Sequence, residues 1–295
     1  MTDILLAGGT GGLGERIARA LVGRGARVRA LVRPGTSPDR RQALERLGLT
    51  LVEADYADAE ALTRACQGVA CVVSALSGLR EVIVEAQGQL LDAAVRAGVP
   101  RFIPSDYSID YARLPPGSNR NLALRQEFKA RLDRAPLRAT SILNGAFMDL
   151  LTGQAPLILF KPKRVLYWAS AEQRMDFTTQ DDTAAFTAAA ALDPDAPRTL
   201  RIAGDSVNAR ELADVMTELT GERFRVTRAG GLGLLGGLIQ VARVIAPQPG
   251  ALYPPWQGMQ YLHNMFSGLG KLEPLDNDRY PGLTWTRARD VLARR

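Results

Sequence analysis

Residues 3–14 read Asp-Ile-Leu-Leu-Ala-Gly-Gly-Thr-Gly-Gly-Leu-Gly, an apolar run that suits a buried strand, then a glycine loop opening a helical pattern. Glycines 8, 11 and 14 fit G-x-x-G-x-x-G, and glycines 9, 11 and 14 also fit G-x-G-x-x-G. Such a loop needs glycine for a tight turn, for backbone approach to a pyrophosphate and for close packing of helix on strand. The helix N-terminus adds unpaired N–H groups and the positive end of the helix dipole. Gly8, Thr10, Gly11, Gly12, Leu13 and Gly14 are therefore the expected phosphate contacts. No Gly-Lys-Ser/Thr follows, so a P-loop is excluded.

Outward from this loop, apolar β-branched runs alternate with helical patterns, the signature of βαβ units and a parallel sheet. Strands are predicted at Asp3–Ala7, Arg27–Val32, Thr50–Glu53, Ala70–Ala75, Arg101–Pro104 and Thr140–Asn144. Helical spacing predicts Leu13–Arg24, Arg40–Leu47, Ala59–Ala65, Val82–Ala97 and Ala123–Arg134. The fold class is α/β, a doubly wound Rossmann sheet. Beyond residue 150 the texture changes, so a cofactor domain at 1–150 and a smaller substrate lobe at 151–295, partly interleaved with the sheet, are expected. The lobe's elements read as Val165–Trp168, Asp181–Leu192, Thr199–Ile202 and Ala209–Thr220. Gly230–Ile245 has too many glycines for a stable amphipathic helix and reads as a mobile flap. An aromatic stretch, Tyr253–Phe266, follows.

The end of the second strand selects the dinucleotide. NAD-binding folds place Asp or Glu there for the ribose 2′-hydroxyl. Here Leu31-Val32-Arg33-Pro34-Gly35-Thr36-Ser37 contains no acid before Asp39. Arg33 offers two donors to a 2′-phosphate and a plane to stack on adenine. Thr36, Ser37, Arg40 and Arg41 could assist. The expected cofactor is NADP(H).

Composition bounds the alternatives. The 295 residues are 46% hydrophobic and 23% charged, ordinary for a globular protein, and the net charge of +6 is dispersed with no basic run. A nucleic-acid partner is not expected. Met1-Thr2-Asp3 leads straight into a strand, without the n-region of a signal peptide, and the uncharged stretch Ala229–Ala242 is too short to span a bilayer. No membrane association is expected, and the chain reads as cytoplasmic. Two cysteines, Cys66 and Cys71, build no disulfide framework. His263 is the only histidine, which excludes a Ser-His-Asp triad and a zinc site; no metal is expected.

The chain resembles the NmrA-like and isoflavone-reductase-like atypical short-chain dehydrogenases/reductases. The matching segments are Ala7–Gly14, Leu31–Arg33, Glu53–Asp58, Val72–Leu76, Ala97–Ser105, Lys129–Arg131, Asn144–Phe147, Asp176–Asp182, Asp278–Pro281 and Thr284–Leu292. That resemblance implies that Asp55 and Tyr56 lie beside the adenine, and Ala75 and Leu76 beside the adenosine ribose and pyrophosphate. It implies that Gly145 and Phe147 approach the nicotinamide.

The Tyr-x-x-x-Lys pair of conventional short-chain dehydrogenases is absent, because Tyr107 is followed four residues on by Tyr111, and Tyr111 by Pro115. Reductases of the resembled group use a Lys in the helix after the fifth strand, which implies that Lys129 lies near the nicotinamide ribose as the catalytic residue. Only four of the 37 basic residues are Lys (129, 161, 163 and 271), so a retained ammonium, able to pass a proton when its environment lowers its pKa, points the same way. Ser105 and Tyr107 could hydrogen-bond a substrate. Phe147, Met148, Trp168, residues 230–239 and Trp256–Met265 are candidates for an apolar pocket.

Two functions follow. One is an NADPH-dependent reductase of a small aromatic or quinone/enone-like molecule. The other is an NADP(H)-sensing regulator of the NmrA type that controls a protein partner without turnover.

Overall fold

The computed structural model describes residues 2–295. The first half follows the predicted alternation: β1 (Asp3–Ala7), α1 (Gly12–Gly23), β2 (Arg27–Val32), α2 (Pro38–Arg46), β3 (Thr50–Glu53), α3 (Ala59–Cys66) and β4 (Cys71–Ser74). Then come α4 (Gln87–Arg96), β5 (Arg101–Ile103), α5 (Arg120–Leu132), β6 (Arg138–Ala139) and β7 (Ser141–Leu143). The order β3-β2-β1-β4-β5-β6 forms one wholly parallel sheet. Ile4, Leu5, Leu6 and Ala7 of its central strand have no exposed surface, because helices cover both faces. The chain moves outward from β1 to β2 and β3, then returns to the other side with β4. The switch point between β1 and β4 is therefore where the carboxyl ends open a crevice.

The second half contains β8 (Ala146–Phe147), β9 (Ile158–Leu159), β10 (Arg164–Trp168), β11 (Met175–Thr178), α6 (Gln180–Leu192), β12 (Thr199–Arg201) and β13 (Asp205–Val207). It closes with α7 (Ala209–Thr220), β14 (Arg225–Gly230), α8 (Leu232–Ile245), α9 (Pro255–Phe266) and α10 (Ala288–Leu292). β7 pairs with β12, and β8 lies in a small sheet of order β13-β11-β8, so strands from beyond residue 150 are built onto the first half. α6 packs on α1, and apart from Phe186 its buried residues are all Thr or Ala, small side chains that let neighbouring backbones come close. Caps hold the helix starts: Asp58 on α3, Asn119 on α5, Thr179 on α6, and the reciprocal Asn208–Glu211 box on α7.

Two expectations are corrected. The predicted single helix Val82–Ala97 starts as a π-helical turn, Glu81–Ala86. The fully buried Gln87 donates to the Ile83 carbonyl at 3.1 Å and accepts from the Ser105 amide at 2.9 Å. Gly230–Ile245 is no flap: α8 spans 14 residues of it. Leu235 and Ile239 are buried one turn apart, and tertiary packing of this kind outweighs weak propensity. The other side of α8 leaves Leu234, Val241, Val244 and Ile245 exposed. Among the described residues no helix is long and apolar enough to cross a membrane. Cys66 and Cys71 are free and buried, and burial pushes both thiols up to about 12.

Candidate active site

The turn after β1 is built by exclusion. Gly8 has φ +81°, and a Cβ there would lie 2.6 Å from the Ala75 carbonyl oxygen just beyond β4. A Cβ on Gly14 would lie 2.0 Å from the Gly8 carbonyl oxygen. These two glycines therefore seat the loop against β4 and the helix against the loop. Thr10, Gly11 and Gly12 are exposed between them. Gly11 is the N-cap of α1 and no side chain caps that end, so the first-turn amides face outward. A Cβ on Gly11 would meet only the Gly8 carbonyl, at 3.5 Å. The cradle thus fits a pyrophosphate: open backbone donors and a positive helix end, with the Arg16 side chain, which donates to the Gly12 carbonyl at 2.9 Å, and Gln180 at its margin.

The other expected contacts gather along the same edge. Leu13, Ala75 and Phe147 are half-buried and pack on one apolar cluster that includes Ile4, Leu6 and Ile17. Tyr56 and Leu76 pack on the second cluster, with Leu5, Ala7 and Val72, across the sheet. The β1–β4 switch point lies between these two sets. Gly145 has φ +69°, and a Cβ on it would lie 2.2 Å from the Asp176 carbonyl oxygen. Both Asn144 and Gly145 donate their amides to the Ser108 carbonyl, at 3.0 and 3.1 Å. The β7 end is thus tied to the loop that follows β5.

At the β2 end, Arg33 is exposed and its guanidinium has no hydrogen-bond or ion-pair partner among the described residues. Burial raises the Tyr56 phenol above its ordinary range, and the nearby Arg33 charge opposes that shift. Arg33 and Tyr56 are therefore neighbours. The supporting donors are partly committed elsewhere: the Thr36 hydroxyl donates to the Arg33 carbonyl at 2.7 Å, and Arg41 pairs with Glu53 at 2.5 Å. Asp55 accepts from the Ala57 amide at 2.9 Å, so its side chain shapes the turn after β3.

At the β5 end the structure redistributes roles. Lys129 pairs with Asp133 at 2.5 Å and its side chain is 36% exposed. Burial alone would raise the Asp133 carboxyl, but hydrogen bonds from Lys129 and Arg198 hold it below its usual range. α5 runs back from the carboxyl to the amino edge of the sheet, so Lys129 lies near its far end, and the structure does not join it to Ser105 or the glycine loop. Ser105 is 4% exposed and donates its hydroxyl to the Leu76 carbonyl at 2.6 Å, which corrects the expectation that it serves a substrate. Tyr107 is likewise core, packed with Ile103, Ile142 and Phe186. Of the pocket candidates, Met148, Trp256 and Met265 are buried core, whereas Phe147 and Trp168 are half-buried.

The residue missed by sequence reasoning is Arg125. It is half-buried, donates Nε to the Ser105 carbonyl at 3.1 Å and Nη1 to the Asn121 carbonyl at 3.2 Å. The signal was present: Leu122, Phe128 and Leu132 are the buried stripe of α5, and Arg125 interrupts it at helical spacing. A concavity of about 490 Å³ between α4 and α5, lined by Leu91, Asp92, Arg96, Arg131 and Arg134, belongs to the outer helical layer and not to this crevice.

The family model described as NmrA-like family matches residues 1–241. Pinoresinol reductase 2 of Arabidopsis thaliana is 31% identical over 258 residues, 80% of each chain. A bifunctional pinoresinol-lariciresinol reductase of Linum usitatissimum is 27% identical, covering 98% of this chain and 97% of its own. Among solved structures, AtPrR2 with NADP+ and (+)pinoresinol superposes with a TM-score of 0.83 at 25% identity, over 99% of this chain and 98% of that one. A crystal structure of isoflavone reductase reaches the same TM-score at 22% identity over 99% of both chains, a likeness of fold.

Proposed function

From the premise that this chain belongs to the NmrA-like family, we propose that it is an NADPH-dependent reductase of a small aromatic or quinone/enone-like substrate. One observation carries the reading. The open glycine cradle at the end of β1 stands beside the unpartnered Arg33 at the end of β2, which together offer the donors a dinucleotide's pyrophosphate and 2′-phosphate require. The relatives support it, since two of them are named as a pinoresinol reductase and a bifunctional pinoresinol-lariciresinol reductase.

Gly8, Thr10, Gly11, Gly12, Leu13 and Gly14 hold the pyrophosphate, and Arg33 the 2′-phosphate. Tyr56 and Asp55 border the adenine, Ala75 and Leu76 the adenosine ribose and pyrophosphate, and Gly145 and Phe147 the nicotinamide. The bound cofactor supplies hydride. Residues 151–295 contribute the substrate side. The two buried free thiols suit a cytoplasmic protein.

The test is NADPH consumption across a panel of aromatic enones and quinones. Turnover supports the reductase; none, together with unequal affinities for NADP+ and NADPH, favours the sensor. Lys129 can donate a proton only if its ammonium leaves Asp133 for the crevice. A fall in kcat of about tenfold or more in Lys129→Ala supports that role, and an unchanged kcat assigns the lysine to the helix-end pair.

A further inference from the structure

Arg125 is a cation partly withdrawn from water whose protein partners are neutral. Its Nε and Nη1 bind the Ser105 and Asn121 carbonyls, and Nη2 has no hydrogen bond among the described residues. Among the described residues no carboxylate lies within ion-pair distance, although its charge is felt by Asp106, Tyr111 and Tyr261. The buried Asp106 instead accepts from the Ser141 hydroxyl at 2.6 Å. A half-buried guanidinium held only by neutral carbonyls, with Asp106 beyond ion-pair distance and one nitrogen left free, is costly to keep and offers that nitrogen to an incoming anion.

Position says which anion. Gly8 touches Ala75, Leu76 accepts from the Ser105 hydroxyl, and the Ser105 carbonyl accepts from Arg125, so these residues form a line across the ends of β1, β4 and β5. Arg33 stands at the β2 end of that line, beside the cradle, and Arg125 at the opposite end. With the 2′-phosphate at Arg33, the reacting end of the crevice falls toward Arg125.

We infer that Arg125 is a catalytic residue of this reduction, its Nη2 stabilising the negative charge that develops on the carbonyl oxygen of a conjugated acceptor. The inference rests on the reductase reading. The hydride pair from NADPH forms a C–H bond at the acceptor carbon, the π pair moves onto the oxygen, and water then protonates that oxygen; NADPH is oxidised and the acceptor reduced. Arginine keeps its proton in folded proteins, so Arg125 acts by charge and hydrogen bonding and not by proton donation.

The test uses 4-nitrophenolate, a stable aromatic oxyanion, titrated into the protein with NADP+ and followed by visible absorbance. Arg125→Met is expected to weaken its binding by about tenfold or more and Arg125→Lys to retain most of it, with NADP+ affinity unchanged in both. The kcat for enones falls in the same order. Equal nitrophenolate binding by native protein and Arg125→Met overturns the inference, as does no binding by the native protein. If Arg125→Met fails to fold, Arg125→Gln, which can still donate to the Ser105 carbonyl, takes its place in the comparison. A native protein that binds the anion through Arg125 but reduces nothing on the panel refutes the reductase reading alone.

Discussion

At Gly14 a single methyl group would lie 2.0 Å from the Gly8 carbonyl oxygen, so the third glycine of the motif is required by steric contact with the first. That requirement is readable from spacing, because strand, turn and helix in sequence bring the two positions together. Arg33 was readable for a similar reason: the residue ending β2 always flanks the turn after β1. Its guanidinium has no partner among the described residues, and Arg33→Ala is expected to weaken NADPH binding by about tenfold or more while leaving NADH little changed, as loss of a charge-assisted bidentate contact requires. Paired titrations of both dinucleotides check it, and a retained preference for NADPH would remove Arg33 from the site. Lys129 and Arg125 show where spacing stops. They share a helix face one turn apart, and only the placement of Ser105 over α5 shows which of them reaches the strand ends.

Among the elements, the strands of the parallel sheet and their crossover helices were legible because burial on both faces, as in β1 and β4, writes continuous apolar runs. Thr140–Asn144 reads as one strand, yet Thr140 donates to Phe102 on one side while Ser141 donates to Arg198 on the other. The segment thus changes partner from β5 to β12 within two residues. α8 was misread from composition, since glycine weakens an isolated helix but not one pinned through Leu235 and Ile239. Gly236 and Gly237 meet nothing within 4 Å of an added Cβ. Replacing both by Ala is expected to raise stability by about 1 kcal/mol each, through lower unfolded-state entropy and better helix propensity. Urea unfolding of the double variant measures this, and destabilisation would mean that α8 needs those glycines for a contact not yet made.

Across the whole molecule, one buried ion pair locks the C-terminal segment to the small sheet. Lys271 Nζ lies 2.5 Å from Asp176 Oδ1, and the Leu272 amide donates to Oδ2 at 2.8 Å. The two side chains are 15% and 1% exposed. Lys271→Met leaves Asp176 buried without its cation and is expected to cost about 3 kcal/mol, with much of that restored by adding Asp176→Asn. Denaturant midpoints of the single and double variants decide this; a single-variant loss within about 0.5 kcal/mol would make the pair incidental. No local pattern announces the pair, since its partners are 95 residues apart. The sequence alone determined the parallel sheet and the glycine cradle, and through Arg33 it pointed to NADP(H). Each follows from periodicity, or from residues whose geometry is set within one βαβ unit. Tertiary structure decided that Ser105 closes the β4–β5 junction, that Lys129 is paired at the helix end and that Arg125 is tied to the Ser105 carbonyl. Those outcomes depend on contacts between distant segments, where side-chain direction and burial, unlike spacing, are not written in the local order of residues.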